Sequence, residues 1–131
     1  MNRSIVVEQI IKNAAVAVIR MEDSKKLLRV VEAIYKGGVK VIEITLTVPD
    51  AINLIKTVVK EVGNEVIVGV GSVLNKELTE QSIDAGAKYV VSPIFKTEII
   101  DAAHKYEIPA LSTALNYFDG FRNGRLPANL L

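Results

Sequence analysis

Apolar residues recur along this chain in two alternating rhythms, short unbroken β-branched runs and longer stretches with a single apolar face. Ala15-Val16-Ala17-Val18-Ile19 carries no polar residue and ends at Arg20, which predicts a short strand covered on both faces. Val39 to Thr47, Val66 to Val70, Tyr89 to Val91 and Ile108 to Leu111 predict further strands. Between them the apolar positions fall at helical spacing. Leu27, Leu28, Val31 and Ile34 form one stripe, with Asp23 or Ser24 as cap and Gly37-Gly38 as stop. Ile52, Ile55, Val58 and Val59 form the next, opened at Pro49-Asp50 and stopped at Gly63-Asn64. Asn75 caps a helix through Leu78 and Ile83 to Gly86, and Lys96 to Tyr106 forms another with Ile99, Ile100 and Ala103 inward. A short helix from Ser4 to Asn13, with Ser4 as cap and Val7, Ile10 and Ile11 as its stripe, precedes the first strand.

Strand and helix alternate with connections of a few residues, which predicts an α/β fold of right-handed parallel βαβ units. Gly37-Gly38-Val39-Lys40-Val41-Ile42 and Ala85-Gly86-Ala87-Lys88-Tyr89-Val90 repeat one shape, a helix-ending glycine leading into a strand. That spacing fits a (β/α) barrel, and a doubly wound sheet produces it too. Residues 1–111 hold about four and a half βα units, against the eight of a closed TIM barrel. Residues 112–131 keep neither rhythm, and an irregular tail is expected there.

Composition narrows the chemistry. With 131 residues, 50% of them hydrophobic, the chain is long enough for one domain with a core. Sixteen basic residues against 15 acidic leave a net charge of +1, and no basic block is interleaved with aromatics, so nucleic acid is not an expected partner. There is no cysteine, and His104 is the one histidine. Thiolate nucleophiles are excluded, and zinc sites of Cys/His type and a Ser/His relay are disfavoured. The N-terminal stretch, interrupted by Glu8 and Lys12, has the apolar core of neither a signal peptide nor a membrane span. A cytoplasmic protein without a membrane partner is expected.

The reactive groups of parallel α/β folds gather at the C-terminal ends of the strands, and the polar residues here follow that rule. Arg20 ends the first strand, Glu43, Thr45 and Thr47 lie along and beyond the second, Ser72 ends the third, and Ser92-Pro93 ends the fourth. Glu43 shares one face with Val41 and Thr45 and sits alone in an apolar run. A half-buried glutamate there, with a raised pKa, can shuttle a proton at a carbon beside a carbonyl. The competing reading is a structural carboxylate paired with Arg20 or Lys40. Gly69-Val70-Gly71-Ser72 lets backbone amides and a hydroxyl approach a small anion, or serves a turn alone. Arg20 supplies charge for an anionic substrate, or is a solvated surface residue. Ser92-Pro93 reads as a stiff turn lining the mouth, and His104 as a surface or helix-end residue. Lys40 and Lys88 lie at strand starts and Lys96 opens a helix, so none is placed as an imine-forming lysine.

Taken in order, Ala17-Val18-Ile19-Arg20, Ile42 to Asp50, Gly69 to Leu74, and Ala85 to Pro93 resemble the 2-keto-3-deoxy-6-phosphogluconate / 4-hydroxy-2-oxoglutarate aldolase family. The resemblance runs from about Ala15 to Pro109. It implies part of a (β/α)8 barrel, commonly a homotrimer, and a class I aldolase that needs no metal or other cofactor. Such an enzyme, a lyase of the Entner-Doudoroff route, cleaves a 2-keto-3-deoxy sugar acid phosphate to pyruvate and glyceraldehyde 3-phosphate through a lysine Schiff base. Glu43 then matches the family's proton-transfer glutamate and Arg20 its active-site arginine. Ser72 stands where the family usually has threonine near the pyruvate carboxylate. Thr45, Thr47, Gly71, Ser92 and Pro93 join the substrate-binding mouth. The family's Lys-x-Phe-Pro motif and its later phosphate loops have no counterpart here, and Leu111 to Asn116 replaces its Pro-Gly-x-x-Thr-Pro-Thr-Glu stretch. The expectation is a truncated or frame-shifted member, inactive alone, with a half-barrel completed by a partner chain or a non-catalytic small-anion-binding module as alternatives.

Overall fold

Five parallel strands lie side by side in chain order: β1 (Ala17–Ile19), β2 (Val41–Thr45), β3 (Ile67–Gly71), β4 (Val90–Ser92) and β5 (Ala110–Ser112). The structure is a computed structural model and describes residues 2–112. Helix α1 (Arg3–Asn13) precedes the sheet, and α2 (Leu27–Lys36), α3 (Ala51–Val62), α4 (Lys76–Asp84) and α5 (Thr97–Lys105) connect successive strands. This is the expected partial-barrel arrangement, four βα units and the next strand.

Register decides which residues share a face. Val18, Glu43 and Gly69 stand abreast across β1, β2 and β3, and Thr45 stands beside Gly71. The alternate positions form the outward face. There Ile42, Ile44, Val68, Val70 and Val90 pack with Leu27, Val31, Ile55, Val58 and Ile99 from the helices in one aliphatic core. Each such side chain contributes about 1.5–3 kcal/mol relative to staying exposed. On the inward face a smaller cluster joins Val41, Ile67 and Tyr89 to Val6 of α1, with Ile10, Val91 and Leu111 at its margin. Helix α1 therefore closes the floor of the half-barrel, below the level of Glu43.

Several local expectations need correction. Asn2, not Ser4, caps α1, its Oδ1 accepting from the Ile5 amide at 3.1 Å. Both residue types cap well, and the cap lies two residues earlier than expected. Its buried residue is Val6, while Ile11 is 64% exposed. Strand β1 is not covered on both faces, since Val16 and Val18 are 41% and 58% exposed. The strand lies at a sheet edge, so its inward side chains have a neighbour on one flank alone. Asp23 caps a 3₁₀ turn, Ser24–Lys26, that leads into α2. Asp50 occupies the N-cap of α3 but accepts from the Asn53 side chain instead of a backbone amide. Ser112 belongs to β5, one residue beyond the expected limit, and residues 113–131 of the expected tail lie outside the described residues. Asn75 caps α4 as expected, accepting from the Leu78 amide at 2.9 Å.

Candidate active site

Two inward positions on β3 carry no side chain, and both are filled from neighbouring strands. A Cβ built on Gly71 would overlap the carboxylate of Glu43, and one built on Gly69 would overlap the ring of Tyr89. These are close approaches only glycine permits. The carboxylate of Glu43 thus leans one pleat upward from its own register partner, Gly69, toward the C-terminal mouth.

Glu43 is 9% exposed, in a strand whose residues are all buried. Burial pushes its carboxyl above the usual carboxylate range, and the positive charge of Arg20 opposes that shift without cancelling it. The ion pairs formed among the described residues are Lys26–Asp23, Lys36–Glu32, Lys76–Glu80 and Lys96–Glu98, and Glu43 takes part in none of them. Arg20 itself is exposed just past the end of β1. Neither Arg20 nor Lys40 is thus the partner that a purely structural carboxylate would need.

Hydroxyl groups gather at the C-terminal ends of the strands. Thr45 is buried, with Oγ1 2.7 Å from Thr47 Oγ1 and donating toward the Ile19 carbonyl at 3.4 Å. This links the ends of β1 and β2. Thr47, exposed in the turn after β2, lines a groove of about 410 Å³ together with Ser72, Asp50 and Leu74. Ser72 has φ of 61°, a left-handed conformation that a serine adopts at some cost and that is common at functional sites. Ser92 is buried, and its hydroxyl lies 2.7 Å from the Val73 carbonyl and 2.8 Å from that of Ile94 while accepting from the Ile94 amide. It pins the β4 turn to the loop after β3, as expected of a turn residue, and Pro93 stays exposed beside it. The structure brings Glu43, Gly71, Thr45 and Thr47 into one neighbourhood, with Ser72 at its rim and Arg20 within electrostatic reach.

Other readings changed. The side-chain position of Gly71 is taken by the protein's own Glu43 carboxylate. His104 is in the last turn of α5, yet its Nε2 is buried without a hydrogen-bond partner among the described residues, and burial with Arg3 nearby pushes its pKa down. Lys96 donates to the Leu74 carbonyl at 3.0 Å. Tyr89 is absent from the sequence candidates. Its ring is 1% exposed and its hydroxyl donates to the Ile42 carbonyl at 2.9 Å. The signal for it was the pair of glycines two residues apart on β3, which makes room for large neighbours. No helix among the described residues is long and apolar enough to cross a membrane.

Comparison with known proteins supplies the family. Residues 6–120 match the family model described as KDPG and KHG aldolase. A KHG/KDPG aldolase of Escherichia coli (strain K12) is 34% identical over 96 residues, covering 73% of this chain and 45% of the relative. A 2-dehydro-3-deoxy-phosphogluconate aldolase of Zymomonas mobilis is 40% identical over 76 residues, covering 58% of this chain and 36% of the relative. Among solved structures, the KDPG aldolase of Legionella pneumophila, with pyruvate captured at low pH as a covalent carbinolamine intermediate, superposes with a TM-score of 0.71 at 26% identity. That match covers 84% of this chain and 54% of the other. The chain thus spans about half the length, or less, of the relatives it matches.

Proposed function

The chain belongs to the KDPG and KHG aldolase family, and on that premise we propose that Glu43 is the proton-transfer group of a class I aldolase site to which this chain contributes the acid/base half. The observation that carries this reading is a carboxylate buried on the inward face, leaning over Gly71 toward the mouth and joined in no ion pair among the described residues. In its ionised form it is a stronger base than a solvated glutamate, suited to removing a proton from the methyl carbon of a pyruvate-type imine and returning it. Arg20 supplies positive charge near the substrate carboxylate, and Thr45, Thr47 and Ser72 supply hydroxyls, with Ser92 and Pro93 shaping the rim. The substrate class is a 2-keto-3-deoxy sugar acid phosphate.

The imine lysine is the missing half. No lysine of this sequence stands in a Lys-x-Phe-Pro motif, and we read these residues as inactive by themselves. Borohydride trapping with pyruvate, read by intact mass, is expected to leave the lone chain unlabelled; a labelled lysine would overturn this. Joining residues 2–112 to the C-terminal half of the Escherichia coli relative is expected to restore aldol cleavage, and Glu43→Gln in that chimera to lower kcat by about 10²–10⁴. An unchanged kcat in the variant would remove Glu43 from the chemistry.

A second reading concerns completion of the barrel. Val16 and Val18 expose apolar surface on the inward side of edge strand β1, which favours a half-barrel completed by a partner chain over a free-standing module. A non-catalytic anion module is disfavoured by the carboxylate already over Gly71. Cytoplasmic location and trimeric assembly are carried from the family as part of this proposal.

A further inference from the structure

Tyr89 is a fully buried titratable group that the chemistry above leaves unused, and its placement is unusual. It precedes β4, yet its ring crosses the inward face of β3 at Gly69 and its hydroxyl reaches the Ile42 carbonyl on β2 at 2.9 Å. One side chain therefore straps three strands together, and it does so directly beside Glu43, the register partner of Gly69.

The two bare positions on β3 form two seats on the inward face. The lower, over Gly69, is taken by the ring of Tyr89, and the upper, over Gly71, by the carboxylate of Glu43. The glutamate side chain is long and flexible enough to reach either seat from its own position on β2. With the lower seat empty, its carboxylate could fold inward toward the apolar floor of Val41 and Ile67, away from any substrate at the mouth. The occupied lower seat forbids that rotamer by overlap. We propose that Tyr89 is a positioning residue for Glu43, its ring closing the seat over Gly69 and so holding the carboxylate over Gly71, aimed at the mouth.

This inference rests on the reading of Glu43 as the proton-transfer group and adds the device that aims it. The hydroxyl bond to the Ile42 carbonyl adds a tether to the strand that carries Glu43, while the packed ring by itself fills the seat. The charged and titratable groups facing Glu43 are Arg20, from the end of β1, and Tyr89 itself, whose own phenol is pushed upward by burial and by the glutamate's charge.

The test is nuclear magnetic resonance on the whole chain with ¹³C-labelled glutamate, the Glu43 signal assigned by its loss in Glu43→Gln. In the parent and in Tyr89→Phe, the Glu43 γ protons are expected to contact the Gly71 α protons, and its carboxyl to titrate above the ordinary glutamate value. In Tyr89→Leu, which cannot span Gly69, the contacts are expected to move to Gly69 and the midpoint to rise further as the carboxylate comes over the apolar floor. A folded Tyr89→Leu variant with contacts and midpoint unchanged would overturn the proposal. Should that variant not fold, Tyr89→Val, which also leaves the seat over Gly69 empty, must shift both readouts, and unchanged values there would overturn it equally. Failure of the chimera test leaves these contacts as they are, whereas failure here leaves the proton-transfer role standing, so the two outcomes separate.

Discussion

The outward face of the sheet and its inward face are made from the same five strands and answer to different demands. Outward, β-branched residues and helix stripes interdigitate in one continuous aliphatic core, with Ile42, Ile44, Val31, Ile55 and Val58 all without exposure. Inward, the same alternation delivers a carboxylate, a buried threonine, two bare glycines and one tyrosine above a small apolar floor. The first face is redundant, since every side chain has many neighbours. The second is specific, because each group occupies space that one particular neighbour leaves free. Stability therefore resides outward, and chemistry is placed inward.

Truncations in the outer core should have the largest effect. Ile44→Ala or Ile55→Ala is expected to cost about 2–5 kcal/mol in urea denaturation; a loss below 1 kcal/mol would show that the helices do not clamp the sheet as described. A smaller effect is expected from Gly69→Ala, about 1–3 kcal/mol, as the added methyl displaces the Tyr89 ring. If that variant is as stable as the parent, the ring has room to spare and the inward face is less tightly specified than its geometry implies.

Glu43→Gln should change stability in the opposite direction. The folded chain holds the Glu43 proton more tightly than the unfolded chain, because burial raises its pKa. Stability therefore falls as pH rises from the ordinary glutamate value through the raised folded value, and stays lowered above it. The glutamine variant lacks this loss. It is expected to exceed the parent in stability at neutral pH, with the difference closing as pH falls below the ordinary glutamate range; a parent that is the more stable at neutral pH would point to a paired carboxylate. The smallest effect is expected at the open edge. Val18→Thr should stay within about 0.5 kcal/mol in the isolated chain, since Val18 is 58% exposed. A larger loss, measured by thermal melting at low and high concentration, would reveal that another chain covers β1.

Much of this was legible in the chain because periodicity and caps are local properties. The stripe of α2, the Asn75 cap of α4 and the solitary Glu43 in its apolar run each follow from residues close in sequence. What escaped depends on neighbours distant in sequence. The apolar run of β1 reports that both faces suit apolar surroundings, not that both are covered, so the exposure of Val18 was invisible. In the sequence Gly69 and Gly71 suggest either backbone approach to a small anion or a turn alone, but a glycine shows only that something approaches closely. That Tyr89 and Glu43 fill that room needed the register of β2, β3 and β4. Asn2 and Ser4 are both competent caps, and nothing local decides between them.

Site-specific titration of the Glu43 carboxyl by ¹³C resonance in the unmodified chain is the most direct test that this residue is a poised base and not a structural ion-pair partner. The expected result is a midpoint above the ordinary glutamate value, burial outweighing the pull of Arg20. A midpoint at or below that value would contradict the account and return Glu43 to the role of a structural paired carboxylate.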